Sequence, residues 1–279
     1  MPIATTVKGG LLGAAASGAA PVFDEVAECL ERDMYAVCSL GAPTALWPLL
    51  CAEGARLQSQ MTPGEIRTAE GQRISGQAPS GSKRGDKFVV SSAAIASGDC
   101  PALELLDMAL ATVGTHLNRA LAKRGLRLFK RSDPYFACFP GDGGRYGAHF
   151  DGGGGSGQCA ITMIAYCNPR WREEDGGALE LLDEPGRCWR SVLPLADTLL
   201  LFRAPHVLHR VAATHAPRYA VSAWWHTADE VEAAQHAALR DDQVVLCKKE
   251  GTGEIFDGGN AGLSAQLVET MVWLCAQTG

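Results

Sequence analysis

The chain has 279 residues, of which 47% are hydrophobic and 20% are charged, and its formal net charge is −6. This length and composition suit one domain of ordinary to large size with a proper core, which argues against global disorder. A general nucleic-acid binder is usually basic, so we expect no nucleic-acid partner.

The ten cysteines include no Cys-x-x-Cys pair, which argues against a zinc knuckle or a thioredoxin-like motif. Several lie in apolar runs, and we interpret them as buried, reduced thiols. Residues 1–20 are rich in Ala and Gly and are typical of neither a secretory signal nor a membrane span. We therefore predict a flexible N-terminal extension, no membrane association, and a cytoplasmic location with the nucleus as a second possibility.

Helical periodicity dominates the first half of the chain. Apolar spacing predicts three helices and one buried strand, over residues 21–32, 44–57, 101–123 and 34–40 respectively. The third helix has an apolar stripe that includes Met108, and Gly125 is its predicted C-cap. Residues 59–83 are polar, and we interpret them as a long functional loop.

After residue 125 the hydrophobic pattern becomes strand-like. Short apolar or alternating segments occupy residues 126–131, 135–139, 145–150, 158–167, 178–182, 188–193, 198–202, 208–212 and 218–226. Such a run of short strands predicts a sandwich or barrel-like double sheet. Two more helices are predicted, over residues 228–239 and 264–275.

These patterns predict an α+β, mainly β fold with a double-stranded β-helix (jelly-roll) core. We expect a single domain over residues 21–240. It comprises N-terminal supporting helices at 21–124 and the β core at 126–226. Residues 241–279 are expected to form a C-terminal tail with a possible helix.

His149, Asp151 and His209 are the candidate metal ligands. His149 and Asp151 are two positions apart, so on a strand they face the same side. Two imidazoles and one carboxylate with open positions form the facial triad of non-haem Fe(II) oxygenases. A zinc hydrolase could use the same ligands. Residues 152–157, directly after Asp151, are almost all glycine and are expected to form a loop that closes over a substrate.

The other histidines have weaker claims. His206 and His215 lie in predicted turns close to His209 and compete with it as the third ligand. His116 and His236 fall on predicted helices, where a lone histidine is more often a structural or surface residue.

Arg218 completes the candidate site. Turn residues between His209 and Arg218 predict an antiparallel hairpin that brings the two together. The guanidinium is a rigid bidentate partner for a carboxylate, so we predict that Arg218 holds the far carboxylate of 2-oxoglutarate. Strand alternation places Ser222 and Trp224 on the same face as Arg218. An oxygen-consuming hydroxylase is the function that this set favours.

Further motifs follow one another in the order found in a known family. They are Ala137-Cys138-Phe139-Pro140-Gly141-Asp142-Gly143, Tyr146-x-x-His149-Phe150-Asp151, Tyr166-Cys167-Asn168, Trp171, Gly176-Gly177-Ala178-Leu179, His209 and Arg218-Tyr219-Ala220-Val221-Ser222-Ala223-Trp224. This series resembles the 2-oxoglutarate-dependent prolyl 4-hydroxylases of the procollagen and hypoxia-inducible-factor class, and most closely the cytosolic hypoxia-inducible-factor type.

The resemblance implies roles for ten residues. His149, Asp151 and His209 would bind iron and form the catalytic centre; Arg218, Tyr166, Leu179 and Ser222 would bind 2-oxoglutarate; and Trp224, Phe139 and Tyr146 would line the substrate pocket. It also implies Fe(II), 2-oxoglutarate, O₂ and ascorbate as cofactors, a proline-containing protein or peptide as substrate, a role in oxygen sensing, and a monomer. The sequence departs from the family where Phe139 replaces an expected Tyr and Gln158 replaces an expected basic residue.

Two further functions would use the same residues. A closed, deep pocket would favour a free amino acid or a small metabolite as the substrate. A non-catalytic sensing module would require a defective ligand or cofactor Arg, and the sequence contains neither defect.

Overall fold

The computed structural model describes residues 3, 5–63, 86–89, 99–151, 159–183, 188–228, 247–249, 255–256 and 261–277. Most of the loop predicted at 59–83, the glycine-rich segment 152–157, nearly all of the helix predicted at 228–239, and His236 lie outside the described residues.

Helices occupy the two ends of the chain, and strands occupy its centre. The helices are α1 (Leu11–Ser17), α2 (Ala20–Arg32), α3 (Leu46–Leu57), α4 (Pro101–Ala122) and α5 (Ala261–Gln277). The strands are β1 (Val7–Gly10), β2 (Tyr35–Ser39), β3 (Thr62–Pro63), β4 (Asp86–Val89), β5 (Lys130–Arg131), β6 (Tyr135–Phe139), β7 (Tyr146–His149), β8 (Cys159–Tyr166), β9 (Leu179–Asp183), β10 (Cys188–Val192), β11 (Thr198–Arg203), β12 (His209–Val211), β13 (Arg218–His226), β14 (Cys247–Lys249) and β15 (Ile255–Phe256).

Two sheets face each other across an apolar layer. The larger sheet has the order β1-β2-β11-β8-β13-β5-β14-β15, with β6 also paired to β13, and the smaller sheet has the order β10-β9-β12-β7. Leu179 and Leu181 of the smaller sheet pack with Ile164, Leu200 and Phe202 of the larger one. This is the predicted jelly-roll core, and its sheets do not close into a barrel within the described part of the chain.

The helices cover the other face of the larger sheet. Their apolar side chains form one core with residues such as Met163, Val221 and Trp225. α4 is buried on most of its circumference, so its apolar surface is wider than the predicted stripe. Met108, which was predicted to belong to that stripe, is 39% exposed, so this part of the prediction was wrong. Gly125 has φ +81, and its N–H donates to Ala122 O, which agrees with its predicted place at the helix end.

The N-terminal segment is part of the fold, so the prediction that residues 1–20 form a flexible extension was wrong. β1 pairs in parallel with β2, and Leu11 and Leu12 of α1 are completely buried. The Ile3 N–H also donates to Ser191 O of β10, in the smaller sheet. These partners are distant in sequence, so the local composition could not reveal them.

The C-terminal helix also belongs to the core, which corrects the interpretation of residues 241–279 as a tail. α5 contains the predicted helix at 264–275 and packs against α1 and α4. Leu267 and Met271 are buried there. No helix in the described ranges is long and apolar enough to cross a membrane.

The cysteines largely follow the predicted pattern of buried, reduced thiols. All nine whose side chains are described carry free thiols. Of these, Cys29, Cys38, Cys100, Cys138, Cys159 and Cys167 are buried, whereas Cys188 is exposed.

Candidate metal centre and carboxylate pocket

Two neighbouring strands of the smaller sheet bring the three predicted metal ligands together. β7 and β12 are antiparallel, and His149 lies directly opposite His209 in their register. Asp151 lies two residues beyond His149, the last residue of β7. One potential ligand atom from each residue lies within 4.8 Å of the other two. It is the one such cluster found among the described residues.

The two imidazoles are held in the same manner. His149 Nδ1 lies 2.9 Å from Gly147 O, and His209 Nδ1 lies 3.1 Å from Val207 O. A carbonyl oxygen can only accept, so Nδ1 is a protonated nitrogen in both rings, and Nε2 is the nitrogen that carries the lone pair when the ring is neutral. This arrangement fixes the tautomer that a metal-binding histidine needs.

Asp151 is held by two residues of the larger sheet. Its Oδ2 accepts hydrogen bonds from Thr162 Oγ1 at 2.7 Å and from Trp224 Nε1 at 2.9 Å. Its Oδ1 lies 3.5 Å from His149 Nε2. The carboxylate therefore bridges the space between the two sheets.

The electrostatic environment favours the protonation states that metal binding requires. Burial alone would raise the pKa of Asp151, but its hydrogen bonds and the positive charge that the two neighbouring imidazoles carry when protonated hold that pKa below its usual range. Burial lowers the pKa of His209, although the charge of Asp151 opposes that effect. An ionised carboxylate and a neutral imidazole are the metal-binding forms.

The sequence predicts that His209 and Arg218 lie on the two strands of one antiparallel hairpin, and this prediction was wrong. His209 begins β12 in the smaller sheet, whereas Arg218 begins β13 in the larger one. The segment between them therefore crosses from one sheet to the other. The predicted alternation along β13 is confirmed, because Ala220 belongs to the inter-sheet cluster and Tyr219 and Val221 belong to the helix-side core.

The Arg218 side chain is buried and has no carboxylate partner in the described part of the chain. Its Nε donates to Gly177 O at 2.8 Å, and its Cζ lies 5.2 Å from the ring centres of both Phe139 and Tyr166. The Tyr166 hydroxyl is buried without a hydrogen-bond partner among these residues.

Both groups would suit an anionic ligand. Burial raises the pKa of Tyr166 to about 12, so its hydroxyl remains a donor. Burial also lowers the pKa of Arg218, because a buried cation without a counter-charge is unfavourable. A carboxylate bound here would neutralise the buried charge of Arg218 and would accept a hydrogen bond from the Tyr166 hydroxyl.

The remaining predicted residues line the same inter-sheet space. The Tyr146 ring lies edge-on to His149, with 4.8 Å between centroids. Leu179 is buried beside Tyr166 in the inter-sheet cluster, and Ser222 is half-buried on β13. Trp224 contacts Asp151 rather than serving only as a pocket wall.

Two residues at the site were missed by the sequence analysis. Thr162 donates to Asp151, and the Phe202 ring packs against the His209 ring at 4.6 Å. A polar residue within the apolar strand β8 was the available signal for Thr162, but such a residue does not reveal its partner.

The competing histidines lie apart from the cluster. His206 and His215 are exposed, whereas His116 is buried in α4 and stacked on Phe23. The structure thus separates the three proposed ligands from the alternatives.

Comparison with known proteins points to the same chemistry. Residues 134–226 match the model of the 2OG-Fe(II) oxygenase superfamily, and this range contains the three proposed ligands and Arg218. This part of the chain is therefore similar to the 2OG-Fe(II) oxygenase superfamily.

Two relatives carry related names. "Prolyl hydroxylase EGLN3" of Mus musculus is 35% identical over 133 residues, which cover 46% of this chain and 52% of that protein. "Egl nine homolog 1" of Rattus norvegicus is 31% identical over 183 residues, which cover 63% of this chain and 52% of that protein. The chain thus spans about half the length of these curated relatives.

A solved structure confirms the predicted fold. The chain is similar to a prolyl hydroxylase from Trichoplax adhaerens in complex with a hypoxia inducible factor peptide fragment. The TM-score is 0.64 at 20% identity, and the match covers 78% of this chain and 94% of the other. At this identity the likeness establishes the jelly-roll fold.

Proposed function

We propose that this chain is an Fe(II)- and 2-oxoglutarate-dependent dioxygenase that hydroxylates a prolyl residue of a protein substrate at the 4-position. One observation carries the proposal. The cluster of His149, Asp151 and His209, with ligand atoms within 4.8 Å of one another, shares the inter-sheet space with Arg218, a buried cation that no described carboxylate neutralises.

The donor set fits Fe(II). Nε2 of His149, Nε2 of His209 and one oxygen of Asp151 would hold the ion and leave positions open for other ligands. With 2-oxoglutarate and O₂ bound, the iron would supply the oxidising chemistry, in which one oxygen atom enters the substrate and the other enters succinate as CO₂ is released. The protein's own part is to fix the orientation of the two imidazoles through their Nδ1 contacts and to keep Asp151 ionised.

The buried end of the pocket fits 2-oxoglutarate. Arg218 would pair with the far carboxylate, and the Tyr166 hydroxyl would donate to it, because no described residue accepts a hydrogen bond from this hydroxyl. Leu179 and Ser222 would line the space between. Phe139 offers only its ring to the guanidinium, so the contact expected from a tyrosine hydroxyl is absent at this position.

A peptide is the substrate class that we propose. The side chain of His149 is 20% exposed and that of Asp151 is 12% exposed, whereas that of His209 is 4% exposed, so the site opens to the surface beside His149. Phe150, between two of the ligands, is 51% exposed. A surface opening suits a proline on an extended chain, and the relatives named prolyl hydroxylases support the same substrate class.

Further features belong to the proposal. We assign ascorbate as the reductant that keeps the iron in its ferrous state, and an oxygen-sensing role in the cytoplasm or nucleus. The free thiols support a reducing compartment. The formal net charge of −6 supports the proposal that this protein does not bind nucleic acid. We also propose that it acts as a monomer.

The proposal is tested by loading the full chain anaerobically with Fe(II) and 2-oxoglutarate, admitting O₂, and measuring succinate. Proline-containing peptides and free amino acids are compared as substrates. We expect succinate formation to depend on the peptide. If succinate forms only with a free amino acid, the substrate of this site is a small molecule and not a peptide. If the iron-loaded chain forms no succinate at all, the proposed dioxygenase activity is refuted.

A further inference from the structure

Asp151 presents its two carboxylate oxygens to different surroundings. Oδ2 accepts from Thr162 Oγ1 and from Trp224 Nε1, at 2.7 Å and 2.9 Å. Each carboxylate oxygen has two lone pairs, so these donors occupy both lone pairs of Oδ2. Oδ1 is left for a metal and lies 3.5 Å from His149 Nε2, whereas Oδ2 lies 3.8 Å from His209 Nε2.

We propose that Thr162 and Trp224 are positioning residues that fix the rotation of the Asp151 carboxylate, so that Oδ1 alone binds the metal. The inference rests on the proposed metal site. Its functional consequence is a free coordination position. A carboxylate that bound through both oxygens would occupy one of the positions that the 2-oxo acid and O₂ need.

The two donors reach Asp151 from adjacent strands. Thr162 on β8 and Trp224 on β13 lie directly opposite each other in the antiparallel register. Their side chains therefore project from the same face of the larger sheet, towards the smaller sheet that carries the ligands. This pairing sets the separation between the hydroxyl and the indole N–H through the sheet backbone.

Thr162 is the rigid member of the pair. It is completely buried, on a strand with neighbours on both sides, β11 and β13. A β-branched side chain has few rotamers, and a buried hydroxyl without a hydrogen bond is costly. The hydroxyl is therefore held towards Asp151 with little freedom to turn away.

Trp224 links the carboxylate to the more exposed side of the site. Its half-buried indole packs edge-on against Tyr135, with 5.0 Å between ring centroids and 72° between ring planes. A substrate that contacts this indole would act on the group that donates to Asp151. Loss of the Trp224 donor should therefore alter both metal and peptide binding, whereas loss of the Thr162 donor should alter metal binding alone.

Co(II) binding to the full chain tests the inference without turnover. Affinity is measured by competition with a chelator, and coordination is followed by the visible ligand-field absorption of Co(II). We expect Thr162→Val and Trp224→Phe each to lose about 10-fold in Co(II) affinity and to change the absorption spectrum, because orienting hydrogen bonds to metal ligands commonly contribute this much. Thr162→Ser keeps the hydroxyl and should restore both.

Two matched controls are available in the same chain. Thr115 is completely buried, and its hydroxyl donates to Ala111 O of the same helix. Trp225 is completely buried, and its Nε1 makes no hydrogen bond within the described residues. Thr115→Val and Trp225→Phe should therefore bind Co(II) with the original affinity and spectrum.

The outcomes distinguish a failure of the proposed positioning roles from a failure of the proposed metal site. Unchanged affinity and spectrum in Trp224→Phe and in a folded Thr162→Val would overturn the positioning roles. So would equal losses in the controls, because general destabilisation would then explain them. If Thr162→Val does not fold, Trp224→Phe against Trp225→Phe decides the question. No Co(II) binding by the unaltered chain would instead overturn the metal site itself.

Discussion

His149 and His209 lie directly opposite each other on neighbouring antiparallel strands, and their ring centroids are 4.2 Å apart. Each ring is anchored through Nδ1 to a backbone carbonyl of its own strand segment. The register between β7 and β12 therefore determines the geometry of the imidazole pair. The metal site thus requires correct strand pairing in the smaller sheet as well as the ligands themselves.

The first prediction concerns the second imidazole. His209→Ala should abolish Fe(II) binding and succinate formation, because two ligands cannot replace a three-ligand site. His206→Ala is the control, since His206 is an exposed near neighbour in sequence. Iron retention after gel filtration and succinate yield are the measurements. Equal retention of iron by both variants would exclude His209 as a ligand.

The second prediction concerns Arg218. Breaking a buried ion pair by removing one partner typically costs about 3–5 kcal/mol, which corresponds to more than about 100-fold in affinity. Arg218→Ala should therefore raise the 2-oxoglutarate concentration needed for half-maximal succinate formation by at least this factor. Arg210→Ala is the control, because Arg210 pairs with Glu180 in the smaller sheet. An unchanged requirement in Arg218→Ala would refute the assigned role.

The third prediction concerns Gly177, whose carbonyl orients Arg218. Its φ is +64, and a Cβ would lie 3.0 Å from Arg218 Cδ and 3.0 Å from Trp171 Cζ2. Gly177→Ala should weaken 2-oxoglutarate binding and cost about 1–2 kcal/mol of stability from its backbone conformation alone.

Gly143→Ala separates these two effects. Gly143 has φ +85, but a Cβ there would meet nothing within 4 Å. Denaturant unfolding should show a loss of stability in both variants, whereas the requirement for 2-oxoglutarate should rise only in Gly177→Ala. A similar rise in both would show that the Gly177 contact does not orient the pocket.

The fourth prediction concerns the N-terminal segment. Leu12 is completely buried, so Leu12→Ala should lower the free energy of unfolding by about 2–5 kcal/mol. Leu195→Ala is a suitable comparison, because Leu195 is 43% exposed, and its loss should be much smaller. Urea unfolding measures both. Wild-type stability in Leu12→Ala would support a loosely attached N-terminus after all.

Part of the site could be predicted because strand periodicity is a local rule. The two-residue spacing of His149 and Asp151 places them on one face wherever a strand forms. The alternation along β13 likewise placed Arg218 and Ser222 on the same side. The existence of β2, of the strands from β5 to β13 and of the long helix α4 followed from the hydrophobic period, which is also local.

What escaped prediction depends on partners distant in sequence. A turn-rich segment between two short strands has the same sequence pattern whether it closes a hairpin or crosses between sheets. The sequence therefore could not show that His209 and Arg218 lie in different sheets. Thr162 gives no local sign of its bond to Asp151. Leu11 and Leu12 are buried by packing that the small residues around them do not reveal.

The most direct test of the central claim is the mass of a proline-containing peptide after reaction with the chain, Fe(II), 2-oxoglutarate and O₂, with succinate measured in the same sample. The account predicts a peptide that has gained one oxygen atom at C4 of proline, in an amount equal to the succinate formed above the peptide-free control. An unmodified peptide alongside that same additional succinate, or iron-loaded protein that forms neither product, would contradict it.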